Sequence, residues 1–210
     1  MNNLTSESKF FLSIFLGSAL LLVGAAFVLS RPTPKVVIPK ETLIPNNAHT
    51  IGSSSASAYL VEFSDFECPA CGTFEPTVKS LTTKYADRLL FSYRHFPLPQ
   101  HIEGQPAAMA AEAAGQQGKF WEMHTLLFKN QKSLSSTIYT ELAKELNLDL
   151  KAFEKDRKDS SLSAIISADT DSGTSIGVNA TPTFFLNGVK LELADPSELV
   201  RAVENALSLK

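Results

Sequence analysis

Short apolar runs along this chain alternate with longer stretches whose apolar positions recur with a period near 3.6, and the changes mark its elements. Tyr59-Leu60-Val61-Glu62-Phe63 is an apolar run too short for a helix and reads as a buried, central strand. From Pro69 to about Ala86, Phe74, Val78, Leu81 and Tyr85 recur at intervals of four, three and four, which is the buried stripe of a helix. Pro76 inside that stripe predicts a kink, since proline removes one hydrogen bond and crowds the preceding turn. Leu89 to Phe96 is the next strand, closed by Pro97 and Pro99.

A helical section follows. Ala107 to Ala114 is alanine-rich, and Phe120, Met123 and Leu127 continue at helical spacing. Ser135 or Ser136 caps a helix through Leu146, Asp149 caps another containing Phe153, and a third runs from about Ser161 to Ser175, ending near Gly177. Strand chemistry then returns at Thr181 to Leu186. Asn187-Gly188 predicts a tight hairpin into Val189-Lys190-Leu191, because both turn residues take positive φ. Asp195-Pro196-Ser197-Glu198 opens a last helix whose apolar face is Leu199, Val200, Val203, Ala206 and Leu207. The predicted order is strand, helix, strand, helical insert, strand, strand, helix.

The N-terminal pattern is different. Phe10 to Ser30 is 21 residues without a charge, enough to span a hydrocarbon core of roughly 30 Å as a helix. Val28-Leu29-Ser30 is a weak cleavage site, so residues 1–30 read as an uncleaved membrane anchor in preference to a removed signal. Lys9 precedes the segment while Arg31, Lys35 and Lys40 follow it, so flanking charge does not favour an exported C-terminal domain. Residues 31–47 carry Pro32, Pro34, Pro39 and Pro45 and read as a semi-rigid spacer, with Val36-Val37-Ile38 open to a second reading as a short edge strand. The folded domain is expected over 48–210, with a helical insertion at about 100–177.

Composition narrows the chemistry. A formal charge of −3 with 20% charged residues offers no basic field for nucleic acid. The hydrophobic content of 44% supports one ordinary core. Only two cysteines occur, spaced as Cys68-Pro69-Ala70-Cys71 between the first strand and the first helix. A helix N-terminus presents unpaired N–H groups and a partial positive charge, both of which stabilise a thiolate on the first cysteine. Zinc needs four ligands, and His49, His95, His101 and His124 are scattered, so no metal site and no cofactor is expected. A purely structural disulfide is the alternative reading, although so tight a loop stabilises little.

Four segments in order carry a resemblance: Glu62-Phe63-Ser64-Asp65-Phe66-Glu67-Cys68-Pro69-Ala70-Cys71, Arg94-His95-Phe96-Pro97-Leu98, Gly118-Lys119-Phe120-Trp121, and Gly177 through Thr181-Pro182 to Asn187-Gly188. The chain resembles the DsbA-like thiol–disulfide oxidoreductases, particularly membrane-anchored members. The resemblance implies an α/β thioredoxin-like fold with an inserted helical subdomain after an N-terminal transmembrane helix. It implies that Cys68 is the exposed nucleophile, Cys71 the buried resolving cysteine, and the pair a redox-active disulfide. Pro182 matches the family's cis-proline, with Thr181 beside it at the substrate-binding loop. Glu62 matches a buried acid, either a proton relay for Cys71 or a partner for the domain's own buried polar groups. Glu75 and His95 read as structural, and Phe120 and Trp121 as helix core.

The activity expected is protein-disulfide oxidoreductase, most simply a dithiol oxidase for exported proteins. Alternatives are a reductase or isomerase of the same fold, or a binding or chaperone module with an idle dithiol. The implied partners are exported protein thiols or disulfides and a membrane quinone-linked reoxidase of the DsbB or vitamin-K-epoxide-reductase type. The expected location is the bacterial cell membrane, single-pass, with the catalytic domain outside the cytoplasm. The Pro69-Ala70 spacer lacks the histidine of the most oxidising relatives, so a milder oxidant is expected.

Overall fold

The computed structural model describes residues 36–208 together with scattered residues between 7 and 24. The chain divides into two units, Met1–Lys35 and Val36–Lys210. In the first unit, the described residues are helical, and Phe11, Phe15, Leu16, Leu20, Leu21 and Leu22 are exposed. Among the described residues, no helix is long and apolar enough to cross a membrane. Most of the anchor expected at Phe10 to Ser30 lies outside the described residues.

The second unit carries α1 (Lys40–Leu43), β1 (His49–Ile51), β2 (Ala58–Ser64), α2 (Pro69–Lys84) and β3 (Leu89–His95). The helical insert follows as α3 (Gly104–Gly115), α4 (Phe120–Lys129), α5 (Ser136–Glu145), α6 (Leu150–Asp156) and α7 (Ser160–Ser175). The chain closes with β4 (Thr183–Leu186), β5 (Val189–Lys190) and α8 (Pro196–Ser208). The five strands lie in the order β1-β3-β2-β4-β5, with β2 parallel to β3 and all other pairs antiparallel. Parallel neighbours need a crossover, and α2 supplies it.

Strand β2 is central, and its alternation sorts side chains onto two faces. Leu60 joins the larger core with Phe74, Phe91, Phe184 and Leu199. Val61 and Phe63 face the smaller one with Leu43, Phe96 and Phe185. Glu62 is two residues from Leu60 and shares its face, the side covered by α2. This register puts a carboxyl group beneath the helix that begins at the cysteines.

Caps predicted from sequence are formed: Ser135 Oγ accepts from Ile138 N (3.4 Å) and Asp149 Oδ1 from Ala152 N (3.0 Å). Asn187 and Gly188 both have positive φ, at 49° and 85°, and close the β4–β5 hairpin. Helix α2 runs unbroken through Pro76.

The segment expected as spacer is folded onto the domain from Val36 onwards. Val37 bridges Val189, and Ile38 N donates to Gly188 O (2.8 Å). Leu43 is fully buried, and Arg94 Nη1 donates to its carbonyl (2.7 Å). One buried leucine in a single helical turn leaves no periodic signal, which is why prolines dominate the sequence pattern there. The insert is joined to the sheet by Asp169 on α7, whose carboxylate accepts from Arg94 Nε (2.7 Å) and from His95 N (2.9 Å).

Candidate active site

The loop between β2 and α2 is built by Asp65. Its carbonyl accepts from Cys68 N (3.1 Å) and its Oδ1 from Glu67 N (2.8 Å), which turns the chain from strand into helix. Cys68 is the N-cap residue of α2 with extended backbone (φ −70°, ψ 118°), and Pro69 is the first helical residue. Proline is at home there, because its missing N–H would be unpaired anyway. Gln131, from the turn after α4, donates through Nε2 to the carbonyls of Phe66 (2.7 Å) and Cys68 (2.9 Å). The reactive loop is therefore held from the strand side and from the helical insert.

The two thiols are not bonded to one another. Cys71 is wholly buried and Cys68 retains only 6% of its surface, so neither is prominently exposed as expected for Cys68. The reason is the loop before β4: Cys68 Sγ lies 3.3 Å from Thr181 O, to which it donates when protonated, and the Thr181–Pro182 peptide bond is cis. Residues more than a hundred apart in sequence thus cover one sulfur. Beside them, Ala70, Phe74, Thr181, Pro182 and Leu191 line an open groove of about 370 Å³.

The sulfurs are electrostatically unequal. A hydrogen bond from Cys71 lowers the Cys68 pKa to about 5, against the effect of burial, with help from Thr181 and from the backbone N–H groups of Cys71 and Ala70. Those amides belong to the first turn of α2, where they have no helical partner. Burial pushes the Cys71 thiol well above its ordinary value, and its bond to Cys68 and the charges of Glu62 and Cys68 add to this. One sulfur is a thiolate at neutral pH and the other a thiol.

Glu62 is 3% exposed, and burial raises its pKa to about 8, opposed by the bond from Ser64 Oγ (2.7 Å). Ser64 also acts to lower the Cys71 pKa, so the hydroxyl that bonds the buried acid bears on the buried thiol as well. Glu62 lines a cavity of about 150 Å³ with Glu75, Lys79, Thr82, Trp121 and His124, which gives its carboxyl a route towards solvent. Trp121 is half-buried in that wall, whereas Phe120 is buried against His49 in a stack of 3.4 Å. His95 donates or accepts at Glu112 Oε1 (2.9 Å), as does His49 (2.8 Å), in a cluster inside the core.

Cys68, Cys71, Glu62, Thr181 and Pro182 are thus brought together as one site. Ser64, Asp65 and Gln131 escaped sequence reasoning. Ser64 was legible only as a polar residue at the end of a buried strand, and Gln131 carries no sequence signal at all. Among the described residues, no cluster of three or more histidine, cysteine or carboxylate groups could hold a metal ion.

A protein-family model described as thioredoxin matches residues 45–205. Among curated proteins, the Na(+)/H(+) antiporter NhaA 1 of Salinispora arenicola is 42% identical over 145 residues, covering 69% of this chain and 22% of that protein. The chain therefore spans about a fifth of the length of the curated relatives it matches. A thioredoxin-like oxidoreductase from Silicibacter pomeroyi superposes with a TM-score of 0.69 at 27% identity, covering 80% of this chain and 97% of that one. DsbA2 of Pseudomonas aeruginosa gives 0.61 at 28% identity over 77% and 94% of the two chains. Oxidised BdbD of Bacillus subtilis shares the fold, at 0.71 and 21% identity, over 84% and 100%. A dithiol at a helix N-terminus and a cis-proline loop across from it agree with these likenesses to thioredoxin-like and DsbA proteins, and the chain belongs to the thioredoxin family.

Proposed function

We propose that this protein is a dithiol oxidase that transfers the Cys68–Cys71 disulfide to exported proteins. The observation that carries the reading is the seat of Cys68 at the N-cap of α2, facing the cis Thr181–Pro182 loop, where Cys71 and the first-turn amides lower its pKa. Stabilising that thiolate stabilises the reduced enzyme and so makes its disulfide a better electron acceptor. With Pro69-Ala70 between the cysteines, the stabilisation comes from Cys71, Thr181 and helix amides without a histidine in the spacer, and a milder oxidant is the expected outcome.

The reaction runs in two displacements. A substrate thiolate attacks Cys68 Sγ, forming a mixed disulfide and breaking the bond to Cys71, whose sulfur leaves with the electron pair. Its burial makes a free thiolate unfavourable, so Glu62, protonated below about pH 8, delivers a proton by way of Ser64. A second substrate thiolate then attacks the substrate sulfur of the mixed disulfide, and Cys68 departs as a thiolate. The substrate loses two electrons and the enzyme gains them. The cis-proline loop, with the groove beside it, offers the extended substrate a backbone edge.

Turnover requires a two-electron oxidant, and we assign this to a membrane quinone-linked partner of the DsbB or vitamin-K-epoxide-reductase type. Tethering by the N-terminal segment, with the catalytic domain outside the cytoplasm, would bring the two together. The uncharged run of 21 residues from Phe10 to Ser30 is the sequence feature behind that placement.

Trapping with Cys71→Ser tests the reading. Mixed disulfides between Cys68 and exported proteins are expected to accumulate, and equal trapping by Cys68→Ser would overturn the assignment of roles. An equilibrium with glutathione as reducing as a typical cytosolic thioredoxin would reverse the direction to a reductase. Labelling of introduced cysteines on intact cells with an impermeant maleimide checks the orientation.

A further inference from the structure

The loop after β3, residues 96–103, is tied to the redox loop by one carboxylate. Asp65, whose side chain is wholly buried, accepts from Leu98 N (2.8 Å) and from His101 Nδ1 (2.7 Å) on Oδ2, while its Oδ1 takes Glu67 N. Gly104 makes the fit possible, because a Cβ there would stand 2.8 Å from Asp65 Oδ1. Asp65 is also the residue whose carbonyl holds Cys68 N. The imidazole of His101 is thus fixed one carboxylate away from the reactive cysteine, with 18% of its side chain open to solvent for proton exchange.

We propose that His101 is a positioning residue of the redox centre: clamped by Asp65, it sets an imidazolium in the field of the Cys68 thiolate and thereby tunes the reactivity of that sulfur. The inference rests on the reading of Cys68 as the reactive thiolate. Its physical basis is charge balance. Asp65, Glu67 and the Cys68 thiolate are three anions at one bend of the chain, and His101 is the cation among them. Glu103, the next acid on the loop, turns away: its carboxylate accepts from Tyr139 on α5 (2.7 Å), and its N–H donates to Glu67 Oε2 (2.5 Å). Burial works against the imidazolium, but the bond to Asp65 and the charges of Asp65, Cys68 and Glu67 outweigh it and raise the His101 pKa. When His101 is neutral, the Asp65 charge faces the thiolate uncompensated, and the thiolate becomes less favourable.

The coupling is reciprocal: whatever a protonated His101 does for the thiolate, the thiolate does for the imidazolium. The test is therefore first made on the unaltered protein. NMR titration of the His101 ring is expected to give a higher pKa in the reduced than in the oxidised protein. Titration of the thiolate absorbance near 240 nm then compares His101→Gln and His101→Lys. The neutral variant should raise the Cys68 pKa and shift the glutathione equilibrium about threefold to tenfold towards the enzyme disulfide. The cationic variant should stay near the parent, and parent and neutral variant should converge above the His101 pKa. Identical His101 titrations in the two redox states would overturn the proposal, as would equal shifts in both variants, which would mark a packing role. If the neutral variant does not fold, the titration of the parent decides alone. Failure of Cys71→Ser to trap substrate would strike the oxidase reading and leave this coupling measurable.

Discussion

Cys71 can leave a disulfide only if the charge its sulfur acquires is neutralised, because that sulfur has no contact with water. Glu62 is the acid in reach through Ser64, and its raised pKa of about 8 keeps it protonated at neutral pH. Release of Cys71 is therefore expected to slow above about pH 8 as Glu62 ionises. Glu62→Gln preserves shape but donates no proton, so its release rate should fall roughly tenfold or more and lose that inflection. Stopped-flow fluorescence can follow the step, since Trp121, the sole tryptophan, lines the same cavity as Glu62. A flat wild-type profile through pH 8 would leave Glu62 as a buried structural acid, the other role its position in the strand allows. Thr181 tests the opposite sulfur: Thr181→Val removes a hydroxyl that helps to lower the Cys68 pKa, so thiolate absorbance should appear at higher pH.

The elements around the site are held by a few polar contacts, and the most exposed to test is the link between α7 and β3. Asp169 bonds Arg94 Nε and His95 N in a setting where Arg94 is 3% exposed. Asp169→Ala leaves a buried guanidinium with carbonyl partners at Thr42 and Leu43 but without its neutralising carboxylate, and chemical denaturation should show a loss of about 3–5 kcal/mol. An unchanged midpoint would mean that the insert docks by its apolar face alone. Such contacts also explain what the sequence disclosed. Strands, helices, caps and the Asn187-Gly188 hairpin follow from local patterning, and the redox pair was legible because Cys68 and Cys71 lie at a strand-to-helix junction. Long-range ties carry no period. Leu43 docks α1 as one residue, Val37 pairs with Val189 across most of the chain, and Gln131 reaches the Cys68 carbonyl from an unremarkable turn. Asp65 and His101 became meaningful only when β3 laid the two loops side by side.

At the scale of the whole molecule, pH and redox state act on stability through the same groups. His124 is buried and neutral: burial lowers its pKa to about 3, so an unfolded chain binds its proton below 6.5 while the folded one does not. For Glu112, burial raises the pKa, but bonds from His49 and His95 outweigh it and hold it at about 2. Both folded values are depressed, so both contributions are present above the unfolded pKa and are lost as pH falls. Glu62 has the opposite sign: its folded pKa of about 8 lies above the ordinary 4.5, so it offsets His124 between about pH 6.5 and 4.5. Stability should stay roughly level there and fall below 4.5, and His124→Phe should turn the level stretch into a gain as pH falls. Cys68 has the sign of His124 and Glu112 but acts only in the reduced protein. Its folded pKa of about 5 lies below the ordinary value of 9.0, so its contribution is full above pH 9, partial at pH 7 and gone below about 5. The oxidised protein has no such term, and its four-residue disulfide loop constrains the unfolded chain little. The reduced form is therefore expected to melt at a higher temperature than the oxidised form at pH 7. That gap should close as pH is brought down to 5, and calorimetry with and without dithiothreitol measures both. An oxidised form that melts higher at every pH would mean that the Cys68 thiolate is not stabilised by the fold, and the oxidase reading would lose its electrostatic support.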